Sequence, residues 1–301
     1  MFRNTMKKMS EFAADHSFKV LKDCNFIHPS KIENDLCYKL VPCGNAKHLE
    51  LAKNDVRVSG IITIPELAEK VDWDIGLGIA TNPLKVVYSI FEQMGEENLF
   101  WEEFESVIDV TASIDPNAIV SAKNVIIGRN TIIQSGAIIR ERVIIGDDCV
   151  IGNGTVVGAE AFEVNSSDAK PKILKQQGGV RIGNNVEILA KCTIVRSTFG
   201  GFTEIDDNVK IDCQVHIAHD CKVGRSTKIA ACAEISGRVE IGENCFLGPN
   251  CTITNGISIG HNAKVSLGSV VTQAVESNTI VSGNFAVQHD YFIKKMKEMK
   301  G

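Results

Sequence analysis

Aromatic side chains make up only 6% of this 301-residue chain, although 44% of it is hydrophobic. A core so poor in rings must be filled by slim, largely β-branched aliphatic residues. Basic excess is also lacking: 32 Lys and Arg stand against 37 Asp and Glu, a formal net charge of −5. That excludes a general nucleic-acid binder, which needs a basic footprint. The N-terminal stretch MFRNTMKKMSEFAADHSF is basic but has no apolar run of the roughly 7–15 residues a signal peptide requires. No segment reads as a membrane span. There is no CxxC pair, so a structural zinc site is not expected. A reduced, cytoplasmic protein of one to three domains is the simplest expectation.

What the sequence does have is a period. From Ile205 onward every sixth residue through Val271 is Ile, Leu or Val, without a failure. Four residues after each comes, in most cases, a small or slim residue. Five of the ten cysteines (Cys149, Cys192, Cys221, Cys245 and Cys251) occupy this small slot, where a thiol behaves as a small hydrophobe. A helix repeats every 3.6 residues and a half-buried strand every two, so a period of six fits neither alone. It fits a solenoid whose unit is a short strand plus a corner. The stretch from about Ser113 to Val275 resembles the hexapeptide-repeat, left-handed parallel β-helix, an exception to the right-handed crossover preference. Three hexads make one triangular coil in that family, so positions three hexads apart stack about 4.8 Å from each other.

Three regions follow. Residues 1–110 lack the period and read as an N-terminal α/β domain: YKLV (38–41) and SGIITI (59–64) as strands, KHLELAK (47–53) and PLKVVYSIFEQM (83–94) as helices. Asn82 and Pro83 supply an N-cap and a first helical residue. A further helical stretch, ENLFWEEF, leads into the solenoid. Residues 111–280 are the β-helix, whose hexads slip by one after Val120 and break twice, at the polar loop 163–179 and at TFGGFT (198–203). Residues 281–301 are a short helical tail expected to pack on the last coil or on a neighbouring subunit. Long loops on a solenoid usually serve binding, although a tolerated insertion reads the same way.

The motif with the most chemistry is VHIAHDCKVG, residues 215–224. Gly237 stands three hexads after His219, one full coil, so a histidine and a bare glycine backbone stack. A neutral imidazole removes a proton from an attacking amine or hydroxyl. A backbone N–H uncovered by a side chain donates to a developing oxyanion. Asp220, next in sequence, orients the imidazole. A lone histidine is more simply a surface corner residue, and that reading suits His261 and His289.

At these residues the chain resembles the two hexapeptide acyltransferases of lipid A synthesis. VHIAHDCKVG is similar to the catalytic segment of UDP-N-acetylglucosamine O-acyltransferase. KID-x-x-V-x-IAH (210–219), GVRIGNNVEI (179–188) and the TNPLKVVYSIFEQM helix are closer to UDP-3-O-acylglucosamine N-acyltransferase, which also carries an N-terminal α/β domain. The resemblance implies His219 as general base, Gly237 as oxyanion donor and His216 as a sugar contact. Pro42 and His48 stand where that N-acyltransferase stacks uracil on aromatic side chains, and Ile257 stands where it has a histidine. About a dozen residues follow Gln288, where that enzyme has a long helical region that docks acyl carrier protein.

The expected activity is therefore transfer of an acyl group from an acyl-CoA thioester to the amine of a nucleotide-linked amino sugar, in surface polysaccharide synthesis. The expected residues are His219, Asp220 and Gly237 for catalysis, and His216, Arg196, Glu160 and Phe162 for substrate binding. No metal and no permanently bound cofactor is expected, and the assembly implied is a homotrimer with the site between subunits. Alternatives are the carrier-protein-dependent lipid A N-acyltransferase, a non-catalytic solenoid scaffold, and a metal enzyme using His216, His219 and His261.

Overall fold

The structure, a computed structural model, describes residue 3 and residues 5–166, 170–283 and 286–300. It is mainly β: a left-handed parallel β-helix, an N-terminal α/β domain and a short C-terminal helix. Three parallel sheets of eight, eight and nine strands form the faces of the prism. Its first strand is Val107–Ile108, ahead of the first hexad, and its last is Ile280–Val281.

Stacking follows the three-hexad rule where the repeat is unbroken: His216 pairs with Glu234 and Glu240 with Ser258. The exceptions measure each irregularity. Ile114 pairs with Ile133, one position beyond the three-hexad spacing, which is the slip. Val157 pairs with Ile194, so the first break adds about a coil's length of extra chain. Ile194 pairs with Ile217, so the second adds only a short turn. The periodic aliphatics and the five small-slot cysteines form one continuous buried core. All ten cysteines are free thiols.

Corners carry the strain of the fold. Every sixth residue from Asn208 to Gly268 has a positive φ, including Asp220, Cys232, Arg238 and Asn244. Asn, Asp and Gly tolerate this left-handed conformation best, which explains the corner composition.

In the N-terminal domain a five-stranded sheet is covered on both sides. Strand Lys19–Lys22 joins it antiparallel; Gly76–Ile79, Val58–Thr63, Lys39–Cys43 and His28–Pro29 continue it in parallel. Helices α1 (Ala46–Asn54) and α2 (Pro65–Ala68) close one face. Helix α3 (Pro83–Glu96) closes the other, capped by the Asn82 side chain, which accepts from Lys85 N at 3.0 Å.

One expectation needs correction. ENLFWEEF is not helical. Asn98 turns left-handed, Leu99 N donates to Met94 O and Asn98 N to Gly95 O, a Schellman stop. Phe100 and Trp101 are then buried rather than arrayed on a helix. Within the first inserted loop Val164–Asn165 pairs antiparallel with Lys172–Ile173; residues 167–169 lie outside the described residues. The described side chains of helix α4 (His289–Lys300), Tyr291 and Phe292 among them, are largely exposed. Among the described residues no helix is long and apolar enough to cross a membrane.

Candidate active site

Both solenoid breaks serve to seat the N-terminal domain. From the second break, Phe199 is fully buried against Tyr88 and Phe91 of α3, with ring centroids 5.9 and 5.0 Å apart. From the first, Leu174 enters the same core, and the buried Glu163 accepts from Tyr88 Oη at 3.0 Å and pairs with Lys31 at 2.5 Å. The described ends of the loop thus dock on their own chain's α3.

A second device positions residues 30–36. The buried Lys39 ammonium donates to the Ile32 and Asn34 carbonyls and to Asp55, each at 2.8 Å. Burial lowers its pKa, and the Asp55 partner opposes this. So fixed, the segment reaches the solenoid: Asn34 donates to Asp220 at 3.4 Å, and Asp35 bridges Arg57 and Lys222. The His219 corner is therefore walled by this chain's own N-terminal domain.

His219 and Asp220 form the corner itself, with side chains 14% and 12% exposed. Asp220 Oδ2 lies 2.7 Å from His219 Nδ1. Its other oxygen accepts from Thr198 N at 3.1 Å and from the Ser197 hydroxyl. Burial acts to raise the Asp220 pKa, but these hydrogen bonds, His219 first, outweigh it and hold the carboxyl below its ordinary value. An ionised carboxylate can only accept, so Nδ1 carries a proton, and in the neutral imidazole Nε2 keeps its lone pair.

Gly237 is stacked where the spacing places it. A Cβ built on it would lie 2.6 Å from His219 Nε2 and 2.7 Å from Cε1. Its carbonyl accepts from Gly256 N at 3.0 Å. Among the described residues its N–H has no partner. Neighbouring corners leave an amide free as well, and what distinguishes Gly237 is the missing side chain beside an imidazole.

Beside this corner a cleft of about 710 Å³ opens between the domains. Lys31, Glu33, Pro42 and His48 line one wall; Arg238, Glu240, Gly256 and Ile257 line the other. Pro42, His48 and Ile257, all singled out from the sequence, converge here. A smaller pocket of about 200 Å³ reaches Asp220, and Arg238 borders both.

The expected binding residues divide. His216 faces outward on the same prism face as Glu234, 37% exposed, with Nε2 3.8 Å from the Glu234 carboxylate. Arg196 occupies the corner register one coil before His219, but it is 2% exposed and donates to the Gly158 carbonyl at 2.9 Å. Burial lowers its pKa. It braces the base of the first insertion, and its Nη2 is shielded from solvent without a hydrogen-bond partner. Glu160 sits 3.4 Å from Arg140 and 3.9 Å from Arg196, and it lines neither pocket. Phe162 is neither core nor cleft, being 83% exposed. A hexad break marks where chain leaves the prism, not which of its residues return to the site.

Sequence reasoning missed Arg238, although the spacing that joins His219 to Gly237 also joins Asp220 to Arg238. It missed Asn34, Lys39, Ser197 and Phe199 for want of any periodic signal. His261 accepts from Glu243 N through Nδ1 at 3.1 Å. Among the described residues no three His, Cys, Asp or Glu side chains are grouped as a metal ion requires.

Comparison with known proteins agrees with the repeat. The pattern described as bacterial transferase hexapeptide (six repeats) matches residues 124–159 and 202–237, and that described as hexapeptide repeat of succinyl-transferase matches 238–273. Residues 124–159 and 202–273 thus match hexapeptide repeats. UDP-3-O-acylglucosamine N-acyltransferase of Rhodopirellula baltica is 42% identical over 66 residues, 22% of this chain and 17% of that protein. The protein of the same name from a Janthinobacterium is 28% identical over 118 residues, 39% of this chain and 33% of that one. The chain thus spans a third or less of the length of these relatives. Among solved structures, UDP-N-acetylglucosamine acyltransferase from Campylobacter jejuni is 25% identical with a TM-score of 0.49, covering 65% of this chain and 82% of that one.

Proposed function

We propose that the protein is an N-acyltransferase that moves an acyl group from an acyl-CoA thioester to the amino group of a nucleotide-linked amino sugar. The observation that carries this reading is the His219–Asp220–Gly237 corner: an oriented imidazole with a free Nε2 lone pair against a bare backbone. As the neutral amine attacks the thioester carbonyl, Nε2 takes its proton. The carbonyl oxygen becomes an oxyanion and accepts from Gly237 N–H. Collapse breaks the carbon–sulfur bond, and the imidazolium returns its proton to the departing thiolate. Asp220 stays ionised and stabilises the imidazolium.

The interdomain cleft supports a bulky acceptor, since its volume falls in the usual range for small-molecule sites. The names of the relatives, which act on UDP-linked acylglucosamine, support the nucleotide-linked class. Acylation for surface polysaccharide synthesis in the cytoplasm is the setting that fits such an acceptor. The carrier-protein-dependent lipid A reaction is the alternative favoured by those same names.

The homotrimer belongs to the same proposal. The prism face bearing His216 and Glu234 also carries Thr193 and Thr252, but toward its ends it is aliphatic outside, with Ile119 and Val270 exposed and Ile138 and Val156 half-buried. A heterologous contact through such a face makes a ring when its rotation closes, and a threefold ring is the closure proposed here.

A panel of nucleotide-linked amino sugars, incubated with acyl-CoA and with acyl carrier thioesters and read by product mass, tests the reaction. An N-acylated product from CoA donors is expected. Product from carrier thioesters alone would move the assignment to the lipid A type, and no product from either would refute it.

A further inference from the structure

We propose that Arg238 binds the diphosphate of the acceptor's nucleotide linker and so sets the enzyme's demand for a nucleotide-linked sugar. The inference rests on the acyl-transfer reading above. Arg238 follows the oxyanion residue Gly237 and stacks one coil from Asp220, and its backbone N–H donates to His219 O at 2.9 Å. Its side chain is thus rooted at the reacting corner and borders the large cleft.

Two observations mark the guanidinium as unused. One terminal nitrogen, Nη1, is shielded from solvent and has no hydrogen-bond partner. Among the described residues Arg238 forms no ion pair, although Glu33 and Glu240 line the same cleft. Lys31, the other cation there, is already held by Glu163 at 2.5 Å. A buried charged donor left unpaired is costly. The corner conformation adds to the case: Arg238 has φ +60°, where Asn, Asp and Gly are the favoured residues.

Guanidinium matches phosphate oxygens in a two-pronged fork. A diphosphate attached to the sugar would lie close to the amine that His219 deprotonates, within reach of one arginine side chain. Coenzyme A carries a diphosphate too, so the proposal assigns Arg238 to the acceptor and the test separates the two.

Arg238→Asn removes the fork while suiting the left-handed corner, as Asn244 and Asn250 do at the next two corners. Arg238→Lys keeps the charge alone. Calorimetric titration of the wild type with inorganic pyrophosphate and with coenzyme A supplies the reference. Arg238→Asn should weaken pyrophosphate about 10- to 100-fold, the loss of one charged hydrogen-bonded contact. Arg238→Lys should fall between, and coenzyme A binding should not change. In turnover, KM for a nucleotide-linked acceptor should rise by a similar factor while kcat stays within about threefold. Pyrophosphate binding that is undetectable in the wild type, or unchanged in Arg238→Asn, overturns the proposal, as does a loss confined to coenzyme A. If His219→Ala abolishes turnover while Arg238→Asn leaves pyrophosphate binding intact, this inference falls alone. If pyrophosphate binding follows Arg238 but no amino sugar is acylated, the diphosphate site stands and the acyl-transfer reading falls.

Discussion

The His219 imidazole rests against the backbone of Gly237 so closely that a methyl group there would meet Nε2 at 2.6 Å. The two residues are one coil apart, and their stacking follows from the period of six alone. The histidine is held on its other side by Asp220, at 2.7 Å from Nδ1.

Gly237→Ala should therefore act on activity more than on stability. The new methyl would displace the ring, breaking its bond to Asp220 and covering the amide. We expect kcat to fall by about 10²–10³, the range for losing an oxyanion donor, with the melting temperature nearly kept. Activity within twofold of wild type would show that the amide has no part in the reaction.

Asp220→Asn should lower kcat less than His219→Ala, because the aspartate orients and does not react. Its effect on stability has a defined sign with pH. The folded pKa is depressed, so the ionised form contributes stability in full above the unfolded value near about 3.9, and the contribution is lost as pH falls through the folded value. In denaturant unfolding between pH 7 and pH 3, the gap between wild type and Asp220→Asn should narrow toward the acid end. A gap that widens would contradict the assignment of Asp220 as the ionised anchor.

The prism and the His219–Gly237 pair were legible because a strict repeat converts sequence distance directly into spatial distance. The α3 cap was legible for a similar reason, since Asn82 and Pro83 act locally. The interdomain wall was not. Lys39 reads as an ordinary charge in a strand, yet it is fully buried and ties down residues 30–36. Phe199 reads as part of a short break, whereas it is the plug between the domains. Phe162 stands at a break in the period, and its exposure, like the bond from Arg196 to the buried Gly158 carbonyl, depends on where an inserted segment folds back. Such tertiary choices leave no periodic trace.

Phe199→Ala should test the plug. Removing a fully buried ring costs about 3–5 kcal/mol, and Ser197 and Thr198, which hold Asp220, lie on the same turn. Lower unfolding free energy together with reduced kcat is expected, measured by denaturant titration and steady-state kinetics. Normal activity in a folded but destabilised variant would separate the domain plug from the site.

Assembly is open to light scattering at micromolar protein. A trimer of three 32.7 kDa chains is expected. An exposed charge at the aliphatic end of the His216 face, Val270→Asp, should shift it toward the protomer. A fully active species at the single-chain mass of 32.7 kDa would refute the trimer.

The most direct test of the central claim is thiol release from acyl-CoA in the presence of an accepted amino sugar, comparing wild type with His219→Ala. The account predicts a fall in kcat of about 10²–10⁴, with the folded state intact by circular dichroism. A variant keeping more than about half of the wild-type rate would contradict it, because no general base contributes so little.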